Sequence, residues 1–235
     1  MQELLRGASI VCLYYIIAAT VLLTCRYLFR IPDELFRKTL HFVLLASYIP
    51  FVFAFDRWWV SALFAVALEI LIYPILAWFE RFKNYTSMTT ERKKGEFKRS
   101  LLLAFTMLAV CICICWGWRG DRHLVLACMY AWGVGDAFAA LIGKKYGKHK
   151  MRLKLADPHK SVEGSAAMFC TSALSILTVL LFRGRLPLAG YILIPLAGAG
   201  IATFVELITV DGYDTVTCPA AAMAVILPLA ALFGG

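Results

Sequence analysis

The chain has 235 residues, 61% of them hydrophobic and only 17% charged, with a mean hydropathy of +0.75. A water-soluble domain of this length carries more charge and lacks repeated uninterrupted apolar runs, so that class is excluded. The net charge of +9 is uneven: segments 26–38, 81–99 and 144–160 hold 18 of the 24 Lys and Arg residues.

A spanning helix needs about 20 apolar residues. Eight segments qualify: 8–28, 36–55, 58–79, 101–118, 123–142, 163–182, 187–209 and 215–234. Unpaired backbone groups are costly in lipid and no alternating strand pattern is present, so the expected fold is all-α. It is a polytopic membrane helix bundle, with residues 1–235 forming a single integral membrane domain. Eight spans place the three basic connections on one side. The positive-inside rule makes that side cytoplasmic and both termini opposite.

The first span follows Arg6 and runs into Cys25 and Arg26 without a small-residue cleavage site, which predicts a retained helix. The second opens with Arg37, Lys38 and His41. Residues three or four apart share a helix face, so these three can clamp phosphate oxygens, with His41 as a proton acceptor. The alternative is ordinary anchoring at the interface. The third span carries Glu69 near its middle and Pro74 beyond it. The basic 81–99 connection suits anionic lipid heads. In the fourth, Cys111, Cys113 and Cys115 recur every second residue, which points them around the cylinder and not toward one metal.

The fifth span holds Gly133-Val-Gly135-Asp136, with Asp136 six residues before the predicted end at Ile142 and so about 9 Å inside. Small residues at Gly135, Ala139, Ala140 and Gly143 allow close approach of a helix or a ligand. The basic 144–160 connection contains Gly147 and Pro158. Lys160 precedes Ser161, which can cap the sixth helix; a phosphate there would meet Lys160 and free amides. Glu163 opens the sixth helix, Glu206 lies near the end of the seventh, and Asp211 and Asp214 precede the eighth.

A charge within a span costs about 2.5–3.5 kcal/mol at the centre, so Asp136 and Glu206 should face a cavity or a partner. Asp136, Glu163, Glu206 and Asp214 all fall on the cytoplasmic side. Carboxylates are hard ligands suited to a Mg²⁺ shared with substrate phosphates. The alternative is four separate helix-end charges or salt bridges. Two nucleotide motifs are absent. Gly143 to Lys148 is one residue short of a Walker A loop and lacks a preceding strand, and Gly133-Val-Gly135 lacks the third glycine of a dinucleotide fingerprint.

Arg37-Lys38-x-x-His41, Gly135-Asp136-Ala137 with Gly143 and Gly147, Lys160-Ser161-x-Glu163-Gly164, and Glu206 with Asp214 occur in that order. Over residues 35–220 this resembles the dolichol kinase, phytol kinase and CTP-dependent diacylglycerol kinase family. The resemblance implies CTP as phosphoryl donor and a membrane lipid alcohol, polyprenol-type or diacylglycerol, as acceptor. It implies Asp136 and nearby acids for Mg²⁺ and Lys160 for nucleotide phosphates. One departure is Thr215, where the resemblance leads one to expect Asn after Asp214.

Taken with the charge pattern, the expected catalytic residues are Asp136, His41 and Lys160. The metal ligands are Asp136, Glu163, Glu206 and Asp214. The nucleotide contacts are Arg37, Lys38, Gly135, Gly143, Lys144, Gly147, Lys160, Ser161 and Gly164. Expected partners are CTP, the lipid alcohol and the bilayer, with no nucleic acid. The main rival is a phosphatidate cytidylyltransferase, which shares the central block. Such an enzyme would normally add a Lys-Asp pair, a His-Gly-Gly and an Asp-Arg, none of which follows residue 170. A transporter is the rival from another class. Glu69 favours it, while the absence of an inverted repeat and the gathering of polar residues on one face disfavour it.

Overall fold

The computed structural model describes residues 2–29, 31–81, 95–151, 160–210 and 212–234. The expectations placed on Lys83, Arg92, Lys93, Lys94, Arg152, Lys154, Pro158 and Asp211 lie outside the described residues.

With no water to bond the backbone inside a bilayer, each apolar run closes its hydrogen bonds internally as a helix. The observed helices are α1 (Gln2–Leu28), α2 (Asp33–Phe53), α3 (Trp58–Phe79), α4 (Glu96–Cys111), α5 (Arg122–Tyr146), α6 (Val162–Arg183), α7 (Leu188–Ile208) and α8 (Asp214–Leu232). A π-helical stretch, Ile112–Trp118, continues α4. Counting α4 with that stretch as one, eight helices among the described residues are long and apolar enough to cross a membrane. The only pairing outside helices among them is an isolated antiparallel bridge between Lys150 and Ser161. The chain is therefore all-helical, as expected for a multi-pass membrane protein.

Two boundaries differ from the expectation in a way that matters. The fourth span begins at Glu96, because Gly95 turns the chain at φ +80° and frees the next residues to wind. The fifth runs to Tyr146, so Lys144 and Lys145 form its last turn and not a loop. Cations there are favoured by the carbonyl end of the helix, an effect that hydropathy does not register.

The chain divides into two compact units, Met1–Cys113 and Ile114–Gly235. In the first, α3 packs chiefly on α4 and α1 on α2. Its core is aromatic: Phe51 lies 5.7 Å from both Phe64 and Phe105, and Phe55 lies 5.4 Å from Phe64. Glu69 accepts a hydrogen bond from Thr106 at 3.0 Å, which gives this mid-span acid a neighbour on α4.

In the second unit α5 packs on α6 and α8, and α7 packs between α6 and α8. Lipid tails are as apolar as leucine, so such contacts depend on close packing and hydrogen bonds. Both occur here. Ser172 donates to the Ala131 carbonyl at 2.5 Å and Ser175 to that of Tyr130 at 3.3 Å. Gly135 faces Ser172 and Met168, where a Cβ would collide with the Ser172 hydroxyl. Cys111 and Cys115 are buried while Cys113 is exposed, so the three do not converge.

Candidate functional site

The second unit brings four helix ends together: the end of α5, the start of α6, the end of α7 and the start of α8. The α5–α6 contact is tight because both surfaces are glycine. A Cβ on Gly164 would lie 3.0 Å from the Ala139 carbonyl and 3.3 Å from the Gly143 Cα. One on Gly147 would strike the Gly143 carbonyl and sit 2.6 Å from the Ser161 hydroxyl. Gly143, Gly147 and Gly164, expected at the nucleotide, are thus engaged in bringing α5 against α6.

Ser161 caps α6 as its position predicts, its hydroxyl accepting from the Gly164 N–H at 3.2 Å. The expected free amides are not found. The Val162 N–H donates to the His149 carbonyl at 2.9 Å, and Ser165 to Ser161 at 3.0 Å. The capping serine and the preceding strand-like segment therefore already occupy donors that a phosphate would need.

Lys160 reaches across to the end of α7. Its ammonium lies 2.7 Å from the Glu206 carboxylate and donates to the backbone carbonyls of Glu206 and, at 3.5 Å, Thr209. Glu206 is 7% exposed and pays its burial through this cation. Asp136 and Asp214 lie within coulombic range of Glu206. Asp214, in the first turn of α8, accepts from the Trp132 indole at 3.2 Å. Trp132 lies one turn before Asp136 and was missed by sequence reasoning; an aromatic in a membrane span carries no signal of its own.

Glu163 is turned elsewhere. Its carboxylate is 2.7 Å from His149 Nδ1 and accepts from the His149 backbone N–H at 3.2 Å. Among the described residues no three His, Cys, Asp or Glu side chains form a group that could hold a metal ion. The four-acid set is therefore not preassembled. The donor chemistry still fits Mg²⁺, which usually takes one or two carboxylates and completes its shell with phosphates and water. Asp136 and Asp214 are hard oxygen donors of that kind, and Glu206 would join them where Lys160 releases it.

Arg37, Lys38 and His41 lie on α2, in the first unit. Arg37 is paired with Glu34 at 2.7 Å and Glu96 at 3.4 Å, and its Nε is buried without a hydrogen bond. Lys38 is buried and His41 half-buried. Lys144, by contrast, is exposed, as are Lys145, Lys148 and Lys150 around the end of α5. Thr215, at the departure from the expected Asn, is buried.

No curated protein and no solved structure matches the chain. A family model described as the cytidylyltransferase family matches residues 4–235, which take in all eight helices apart from the first two residues of α1. With nearly its whole length matched, this multi-pass membrane chain belongs to the cytidylyltransferase family.

Proposed function

We propose that the protein is a CTP-dependent lipid kinase, transferring the γ-phosphate of CTP to the hydroxyl of a membrane lipid alcohol. Membership of the cytidylyltransferase family supports a CTP-using lipid enzyme in general. The observation that supports a phosphate-handling site is the pairing of Lys160 with Glu206, with Asp136 and Asp214 in electrostatic range. Phosphoryl transfer needs little covalent help from protein and much charge compensation, which a cation among carboxylates supplies.

CTP is drawn to the exposed lysines at the end of α5. As its phosphates arrive, Lys160 exchanges the Glu206 carboxylate for phosphate oxygens and stabilises the charge that develops on the transferring group. Asp136 and Asp214, with Glu206 once released, would hold Mg²⁺, which supplies charge neutralisation across the nucleotide phosphates. The lipid enters laterally with its hydroxyl at the interface. A carboxylate takes the hydroxyl proton, the lipid oxygen bonds to the γ-phosphorus, and CDP leaves. The basic connections and this site are cytoplasmic, with both termini opposite.

The second reading is a phosphatidate cytidylyltransferase, favoured by the family's description. There the phosphatidate oxygen bonds to the α-phosphorus and pyrophosphate leaves. The absence of a Lys-Asp pair, a His-Gly-Gly and an Asp-Arg after residue 170 favours the kinase. The test is turnover by the purified protein in detergent with Mg²⁺ and γ-labelled CTP. Diacylglycerol, a polyprenol and phosphatidic acid are offered separately. Label on an alcohol supports the kinase and names its acceptor. CDP-lipid with labelled pyrophosphate makes the protein a cytidylyltransferase. Silence with all three removes both readings and returns the transporter.

A further inference from the structure

We propose that His149 is a positioning residue, which with Glu163 closes a clasp that sets the place of Lys160. The inference rests on the reading of Lys160 as the phosphate-binding cation.

The observations are local. Residues 149–151 and 160–162 run antiparallel and are joined by two backbone hydrogen bonds. The Val162 N–H donates to the His149 carbonyl at 2.9 Å and the Met151 N–H to the Lys160 carbonyl at 3.1 Å, and these two bonds make Lys150 and Ser161 a bridged pair. The backbone of Lys160 is thus held by the segment that leaves α5. A two-strand ladder this short has no stability of its own. Glu163 supplies what the ladder lacks. From the first turn of α6 it reaches back to the His149 ring at 2.7 Å and to the His149 backbone N–H at 3.2 Å. The carboxylate that sequence reasoning gave to the metal is instead committed to this segment.

The His149 side chain is 79% exposed, so its position is not set by burial. An exposed side chain gains little from one hydrogen bond against the rotamer freedom it gives up. What the bond achieves is placement. It fixes the segment whose backbone holds Lys160, and Lys160 then spans to the end of α7. A small error there would move the ammonium relative to both Glu206 and an incoming phosphate, and misplacement of about 1 Å is costly in a preorganised site.

The experiment uses the full-length protein in detergent and compares wild type with His149→Ala, His149→Asn and Glu163→Gln. The first readout is the rate of Lys160 acetylation by an amine-reactive reagent, followed by mass spectrometry. Loss of the clasp should raise it about threefold in His149→Ala, the scale expected for one solvent-exposed pair. The second readout is CTP turnover, where KM should rise about threefold. His149→Asn, whose amide can donate to Glu163, should return both readouts to about the wild-type values. Unchanged Lys160 acetylation in His149→Ala overturns the clasp, whatever turnover shows. So does an Asn variant as impaired as the Ala variant. Raised Lys160 acetylation in His149→Ala, where the wild type itself turns over no CTP, keeps the clasp and removes the nucleotide reading instead.

Discussion

Replacing Lys160 by Met tests how much the site depends on its buried cation. The Lys160–Glu206 pair has a 2.7 Å separation and side chains 19% and 9% exposed. At that distance, with an effective dielectric of about 20, the bare attraction is about 6 kcal/mol, most of it offset by the desolvation of both ions. Removing one partner is different, because Glu206 then remains buried beside Asp136 and Asp214 with its cation gone. Breaking a buried pair this way costs about 3–5 kcal/mol. In a chain of this size that lowers Tm by about 6–20 °C.

Glu206→Gln should cost less, about 1–3 kcal/mol. The amide keeps an acceptor, and Lys160 keeps the carbonyls of Glu206 and Thr209. The double variant should lose less than the two single losses combined, by about 1–3 kcal/mol of coupling. Unfolding can be followed with a thiol-reactive dye, since the Cys128 and Cys218 side chains are buried in the second unit. A Lys160→Met protein within about 1 kcal/mol of wild type would refute the reasoning.

Asp136→Asn should abolish turnover while the protein still extracts as a single species by size-exclusion chromatography; near-normal activity would sink the metal assignment. Gly135→Ala should lower stability by about 1–3 kcal/mol, because the added methyl meets the Ser172 hydroxyl and lies 2.9 Å from Met168 Cγ. Ser172→Ala in the same chain should relieve part of that loss in the same melting assay. Arg183→Met should destabilise by about 3 kcal/mol, since Asp121, 17% exposed, loses its guanidinium partner while still capping α5. It lies at the other ends of α5 and α6, so the KM for CTP in the surviving protein should not move.

The eight spans were legible because length and hydropathy alone decide whether a segment can cross a bilayer, and each run is continuous in the chain. The Ser161 cap was legible for a similar reason: serine before a helical run bonds an amide three residues on, a contact that needs no distant partner. The last turn of α5 was not, since a lysine pair reads as loop until the preceding helix is known to continue. Partnerships across the fold were beyond reach. Lys160 finds Glu206 and Trp132 finds Asp214 at separations of 46 and 82 residues, set by which helix ends meet. Glu163 shows the limit most clearly. Its residue type suits a metal, a helix start or a salt bridge equally, and only the return of the chain past His149 chose among them. The sequence by itself determined a membrane helix bundle with its charge gathered in three connections, because those properties are sums over local residues. The tertiary structure alone decided which charges neutralise one another, because that depends on distances between segments that no local pattern encodes.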